Sequence, residues 1–388
     1  VSPPRRLLTL GHSYVVGTNR RLARAMAAAG AGEWEVTAVA PARFPGDLGP
    51  ITLRPEPGER VEAIPVRGAG RIHTMLYGGE LRALLRRGWD VVHCWEEPYV
   101  LAAAQVAAWT PRDAKLVFAT FQNLPKPYPP PFRWTERFAM RRAAGWIAFG
   151  RTIEEALRDR PGYADRPHRV IAPGVDTGLF RPDPAAGARV RASLGWDEDG
   201  PPVVGYLGRF VPEKGLGTLM RALDACTQPW RALFVGGGRM EADLRAWAGR
   251  YGDRVRIATG VGHEQVPEYL NAMHLLCAPS RMTPAWREQL GRMLTEAMAC
   301  GVPVLGGASG EIPFVIADAG VILPEDDVAA WTRGIDALLA DPARRAALAT
   351  RGLARAEAEF ALEVVARRHL AFFGELAGAS SHHTNQSS

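Results

Sequence analysis

The sequence predicts an α/β protein in two halves, each a mostly parallel β-sheet covered by helices on both faces. Three observations carry that expectation. Short apolar runs alternate with helical runs along the chain, the pattern of strand, crossover helix and parallel strand. The alternation breaks near 172–184, where Pro173-Gly174 and Arg181-Pro182-Asp183-Pro184 interrupt any regular element. At 388 residues the chain is also long enough for two domains, each with its own core.

Taken in order, the first half reads as strands at 7–10, 36–39, 89–93, 116–120 and 146–149, with a helix over 19–29. The second half repeats the theme with strands at 203–207, 232–235, 255–257, 275–278 and 302–305. Helical runs follow at 327–340, 342–359 and 362–376. The expected layout is two Rossmann-like domains, residues 1–172 and 173–361, then a final helix over 362–377. The Ser/His/Asn-rich residues 378–388 read as a disordered tail.

In open α/β sheets, ligands sit outside the carboxyl ends of the strands. Gly11-His12, His93 and Gln122 fall on such ends in the first half, and Gly208-Arg209, Gly236-Gly237 and Ser280 in the second. Sheets with facing strand ends would form a cleft between them.

The most informative stretch is 286–304. Gly291 can bend the chain into a helix over about 292–300, and Gly301 can stop it. The start of a helix offers unpaired N–H groups and partial positive charge, a seat for a phosphate. Glu288 precedes that seat and Glu296 lies about one turn inside the helix, so two carboxylates flank one anion site. That pattern suits hydroxyl groups on either side of a phosphate, as in a sugar nucleotide.

Cations come from Gly208-Arg209-Phe210-Val211-Pro212-Glu213-Lys214-Gly215. Glycines let backbone approach a ligand, while Arg209 offers a fork and Lys214 a point charge to a diphosphate. The only other lysines are Lys115 and Lys126. Glu213 could serve as a local partner for either cation.

Together these segments resemble the family 4 retaining glycosyltransferases of the two-domain GT-B fold, whose signature joins Gly-Arg-x4-Lys-Gly to a distal Glu-x7-Glu. The resemblance extends through Pro173-Gly174-Val175-Asp176, Val235-Gly236-Gly237-Gly238, Glu296-Ala297-Met298-Ala299-Cys300-Gly301 and Gly310-Glu311-Ile312-Pro313. It implies two domains facing across a cleft, with the last helix crossing back to the N-terminal domain. It also implies a catalytic set of Arg209, Lys214 and Glu288. By matched position Glu288 contacts the transferred sugar and Glu296 the ribose. Gly11, His12, Gly208, Gly237, Gln289, Leu290, Gly291 and Arg292 complete the donor side. His12 contacts donor or acceptor, a capping role for its loop being the other reading.

His93, Trp95, Glu96 and Gln122 fall on the acceptor side, a structural role at the strand end being the other reading of His93. Two positions depart from the family pattern: Trp95 and Gln122 stand where it has histidines. Those departures weaken any histidine acid or base on that wall.

Composition narrows the class further. Formal charge is +6 and pI about 9.4, which suits an anionic donor and an anionic membrane surface. The arginines are scattered and no nucleic-acid-binding signature is present, so nucleic acid is not expected as a partner. Cys94, Cys226, Cys277 and Cys300 lack paired short spacing, which points to reduced thiols in a cytoplasmic protein. Asp197-Glu198-Asp199 reads as a solvated turn, and no metal or cofactor is expected. The basic helix over 133–142 reads as solvated and core-packed, with peripheral membrane contact as the alternative.

The expectation is therefore a metal-independent retaining enzyme moving a hexose from a UDP- or GDP-sugar to a hydroxyl on a glycan, lipid or small natural product. The alternative is a nucleotide-sugar-binding or scaffolding protein without turnover. A phosphorylase is disfavoured, since no lysine suits a pyridoxal phosphate linkage. Replacing Lys214 is expected to cost turnover and leave the fold intact.

Overall fold

The computed structural model describes residues 3–46 and 49–378. The chain divides into two compact units. The first takes in Val1–Gly174 and resumes at Leu362, and the second is Val175–Ala361.

In the first unit, seven strands form one sheet: β1 (Arg5–Leu10), β2 (Trp34–Pro41), β3 (Val61–Ile64), β4 (Val91–Cys94), β5 (Lys115–Thr120), β6 (Gly145–Ala148) and β7 (His168–Val170). Their order is β7-β6-β5-β4-β1-β2-β3, and every neighbouring pair is parallel. Six more strands make the sheet of the second unit: β8 (Val203–Arg209), β9 (Arg231–Gly237), β10 (Val255–Ala258), β11 (Leu275–Ala278), β12 (Val304–Gly307) and β13 (Val321–Leu323). It is again all parallel, in the order β10-β9-β8-β11-β12-β13.

Each sheet starts in its middle, grows to one side, then crosses over to grow on the other. This doubly wound topology leaves a crevice at the strand carboxyl ends where the winding reverses. The reversal lies between β1 and β4 in the first unit, and between β8 and β11 in the second.

Among the helices are α1 (Arg21–Ala29), α2 (Leu216–Ala225), α3 (Arg292–Ala299) and α4 (Leu362–Gly378). The last of these, α4, is the chain's final described element, yet it belongs to the first unit and packs against α1. Val365, His369 and Phe373 recur at one face, as do Ala366 and Leu370, and all five are buried. That spacing places an apolar stripe on the first core. No helix among the described residues is long and apolar enough to cross a membrane.

The interior strands fall where the apolar runs place them. The strand expected at 302–305 begins at Val304 instead, because the Val302 N–H still bonds to the Ala297 carbonyl and closes α3. The helix expected over 342–359 is α-helical for Pro342–Arg355 and then widens into a π turn at Ala356–Phe360. Residues 379–388 of the expected tail lie outside the described residues.

Candidate active site

In the second unit, β8 ends at Arg209, and a tight turn (Pro212–Lys214) leads through Gly215 into α2. Gly215 has φ +72°, and a Cβ built there would lie 1.7 Å from the Pro279 carbonyl oxygen. Only glycine lets the turn after β8 press against the end of β11. That close approach brings Lys214 to the loop following β11.

Lys214 Nζ lies 2.5 Å from Glu288 Oε2, and Ser280 Oγ donates to the same oxygen at 2.8 Å. The Trp286 ring centroid is 5.1 Å from Nζ, within cation–π range. Glu288 is 6% exposed, so the ion pair is largely withdrawn from water. Its backbone is tied as well, with its carbonyl accepting from the Glu311 N–H at 3.0 Å. Glu213 does not serve these cations; it pairs with Arg239 at 3.3 Å.

Arg209 is exposed and makes no side-chain ion pair among the described residues. Its carbonyl accepts the Tyr206 hydroxyl at 2.8 Å. With Lys214 neutralised by Glu288, the uncompensated positive charge at this crevice comes from Arg209 and from the N-terminus of α3. Gly291 caps that helix with φ +77°, a left-handed conformation that suits glycine.

Glu296 sits one turn inside α3, among buried Leu294, Ala297 and Met298. Burial pushes its carboxyl up to about 7, against the pull of Arg292, whose Nε lies 4.0 Å away. Of the other donor expectations, Gly208 continues β8 just before Arg209, and the space where a Gly237 Cβ would point is empty. Gln289 and Arg292 are exposed, whereas Leu290 packs inward and can offer only backbone. Asp197, Glu198 and Asp199 lie on an exposed turn.

In the first unit, β1 runs into Gly11 and the turn His12–Val15. A Cβ on Gly11 would meet Trp95 Cβ at 2.9 Å, so the glycine answers to close packing at the end of β4. His12 donates its N–H to Glu96 Oε1 at 2.6 Å, and its Nδ1 lies 2.8 Å from Oε2. The Tyr77 hydroxyl also donates to Oε1, at 2.6 Å.

Two acceptor-side expectations are corrected here. Glu96 is 1% exposed and its carboxylate is occupied by protein donors, so it offers no surface to acceptor hydroxyls. His93 is fully buried on the sheet face that α4 covers, with His369 and Phe373 ring centroids at 5.5 and 5.1 Å. Burial and the neighbouring His369 hold its imidazole well below the usual range. A strand-end position suggests exposure, but both faces of β4 are covered: all four of its residues are buried, and residue 93 faces α4.

Trp95 and Gln122 remain partly exposed. The Trp95 ring lies against Phe149 at 4.6 Å, and Gln122 Nε2 donates to the Leu124 carbonyl at 3.0 Å. Glu97 is held by Thr120 Oγ1 and the Phe121 N–H, and burial raises its carboxyl to about 7. Sequence reading assigned no role to Trp286 or Tyr77, and named Ser280 only as a strand end. The strand-end position was the one available signal for Ser280, and nothing in the sequence around Tyr77 marks it.

The chain is similar in sequence and fold to known proteins. The chain matches the family model Glycosyltransferase Family 4 over residues 16–179 and Glycosyl transferases group 1 over residues 189–355. The D-inositol 3-phosphate glycosyltransferase of Salinispora tropica is 31% identical over 367 residues, 85% of this chain and 71% of that one. The GDP-mannose-dependent alpha-(1-6)-phosphatidylinositol monomannoside mannosyltransferase of Mycolicibacterium smegmatis is 39% identical over 228 residues, 56% of this chain. This chain spans 59% of that relative's length. Sucrose-phosphate synthase from Thermosynechococcus elongatus has a similar fold, with a TM-score of 0.73 at 23% identity, covering 97% of this chain and 100% of that one. Two doubly wound units, a Lys–Glu pair at the second switch point and these likenesses together place the chain in the family 4 glycosyltransferases of the GT-B fold.

Proposed function

We propose that this chain transfers a hexose from a nucleoside diphosphate sugar to a hydroxyl acceptor, with retention at the anomeric carbon and without a metal ion. The Lys214–Glu288 pair beside exposed Arg209, at the start of α3, carries this reading. A diphosphate entering that crevice meets uncompensated Arg209, the N–H groups of a helix N-terminus, and Lys214, whose charge Glu288 already shares. The costly event is departure of the diphosphate, and cations already in place there stabilise the developing charge without reorganisation. Glu288 then receives hydroxyls of the sugar, and Glu296 those of the ribose.

The Mycolicibacterium smegmatis relative is named for GDP-mannose and a phosphatidylinositol monomannoside, so GDP-mannose heads the donors to try, with UDP-sugars beside it. The helix Phe132–Arg142 supports a peripheral position on an anionic membrane at its cytoplasmic face. It turns Thr135, Ala139 and Met140 inward, and exposes Arg133, Trp134, Arg137 and Arg141.

The test is a panel of GDP- and UDP-sugars scored for released diphosphate, with the product anomer read by NMR and a chelator arm for metals. Retained configuration and release that survives chelation are expected. An inverted product, or release that needs a divalent ion, contradicts those parts. Nucleotide binding with no release from any donor favours the non-catalytic alternative.

A further inference from the structure

Arg191 and His274 share a cavity of about 410 Å³ in the second unit. His274 immediately precedes β11, and Val302 stands two residues before β12, so the cavity lies at the amino ends of the strands. Arg209, Glu288 and the start of α3 belong to the carboxyl ends of the same sheet. The cavity is therefore separate from the crevice of its own unit.

Its polar groups are donors with unused capacity. The Val203 N–H donates to His274 Nδ1 at 3.0 Å, which puts the proton of the neutral ring on Nε2. That N–H has no partner among the described residues. Burial holds the imidazole down at about 4, and the charges of Arg191 and Arg345 add to the effect, so the ring stays neutral. Arg191 makes one long hydrogen bond, from Nη1 to the Asn271 carbonyl at 3.4 Å, and no ion pair among the described residues. Its Nε is buried without a partner. A guanidinium has five N–H donors, so most of this one is unspent.

Negative charge is turned away from the cavity or absent from its wall. No carboxylate lines it among the described residues. Asp183, between the lining Pro182 and Pro184, caps its own helix by taking the Ala186 N–H at 2.8 Å. The end of α3 adds little, because the Cys300, Gly301 and Val302 N–H groups take up the Glu296, Met298 and Ala297 carbonyls. Arg345, whose charge reaches His274, is bonded only to the Leu338 and Leu339 carbonyls among the described residues. The remaining wall is apolar, with Met273, Leu353 and the two prolines. A larger cavity beside α1, about 600 Å³, is by contrast already neutralised: Arg24 meets Glu56, Arg60 meets Glu35 and Glu59 meets Arg20.

We propose that the cavity at the amino ends of β11 and β12 binds a small organic anion, a carboxylate or phosphate carried on an apolar body. Arg191 and His274 Nε2 take the oxyanion, a match for the planar guanidinium fork. Met273 and Leu353 take the body. The volume falls within the roughly 300–1,000 Å³ of small-molecule sites and leaves room that a bare ion would not fill. This site goes beyond glycosyl transfer and does not depend on it.

The experiment is calorimetric titration of the full chain with phenyl phosphate, benzoate, inorganic phosphate and benzyl alcohol. Wild type should bind phenyl phosphate or benzoate with a Kd of ~1 mM or tighter. That affinity should exceed the affinity for benzyl alcohol, the body without the charge, by ~10-fold or more. Inorganic phosphate, the charge without the body, should bind more weakly as well. Arg191→Gln should bring the organic anion down to the affinity of benzyl alcohol. Ala349→Trp, placed on a half-buried lining position of the helix Pro342–Arg355, fills the cavity without touching a charge and should abolish binding. Arg209→Ala should bind as wild type does, since that residue belongs to the crevice. Thermal unfolding checks each variant, and should Arg191→Gln fail to fold, Ala349→Trp decides.

Failure of both organic anions to bind below ~10 mM overturns the proposal. So does benzyl alcohol or inorganic phosphate binding as tightly as they do, or an affinity that Ala349→Trp leaves unchanged. Binding that falls in Arg209→Ala assigns the anion to the crevice and removes the second site.

Discussion

Lys214 Nζ stands 2.5 Å from Glu288 Oε2, joining the turn after β8 to the loop after β11. Both side chains are mostly out of water, at 13% and 8% exposure. Removing one partner of such a pair leaves the other charge uncompensated, at a typical cost of ~3–5 kcal/mol. The motif alone suggests that Lys214 can be replaced without harm to the fold, and the pair corrects that expectation. Lys214→Ala should lose stability as well as ~10²–10³ in kcat. Lys214→Met combined with Glu288→Gln should recover much of the stability and none of the turnover. Thermal unfolding alongside diphosphate release separates the two effects, and an alanine variant as stable as wild type counts against the pair's structural weight.

Gly215 should tolerate no side chain. At φ +72° alanine costs ~1–2 kcal/mol in backbone strain, and its Cβ would overlap the Pro279 carbonyl. Gly215→Ala should therefore lose at least ~2 kcal/mol and displace Lys214 from Glu288. By contrast, Gly252→Ala, also at positive φ but with open space around its Cβ, should show the strain alone. Chemical denaturation of the two variants checks the difference.

Glu296 gives the fold a pH dependence of unusual sign. Its carboxyl is raised from 4.5 to about 7, so the folded state favours the protonated form. The stability it contributes is complete below 4.5 and is lost as pH rises towards 7 and just beyond. At about 1.4 kcal/mol per unit, the loss approaches ~3 kcal/mol. Glu296→Gln should gain on wild type by that order between those limits, while binding nucleotide more weakly. Unfolding curves across the range test this, and a constant difference between the two proteins contradicts it.

The buried histidines act in the opposite direction. Burial drives His369 down to about 4, and its only hydrogen bond among the described residues is to the Val365 carbonyl. Its contribution is therefore present above 6.5 and is lost as pH falls towards 4. His369→Leu should flatten the acid limb of stability by up to ~3 kcal/mol, with α4 as the element that loosens. Hydrogen exchange in α4 at low pH is the direct observation, and unchanged protection in wild type contradicts it.

The central strands were legible because burial on both faces writes them as continuous apolar runs; Leu275–Ala278 coincides with its run to the residue. Three of the edge strands were not: Val61–Ile64 and His168–Val170 are short, partly exposed and without such a run, and Val321–Leu323, also partly exposed, has one of only three residues. Arg209, Lys214, Glu288 and Glu296 could be named from their motif. That Lys214 and Glu288 pair across 74 residues could not, because strand order decides it. Glu96 was misplaced, and the choice between the two readings of His93 left open, for the same kind of reason. One is captured by Tyr77, from a two-residue strand with no sequence signal, and the other is covered by α4 from the far end of the chain.

Calorimetric binding of GDP, GMP, UDP and UMP to wild type and to Lys214→Met is the most direct test of the central claim, that Arg209 and Lys214 receive a diphosphate. Wild type should bind at least one diphosphate ~10-fold or more tighter than its monophosphate, one charge-assisted contact being worth ~1.5–3 kcal/mol. That preference should collapse in the variant. Equal affinity for diphosphate and monophosphate in wild type, or a preference that survives loss of the lysine, would contradict it.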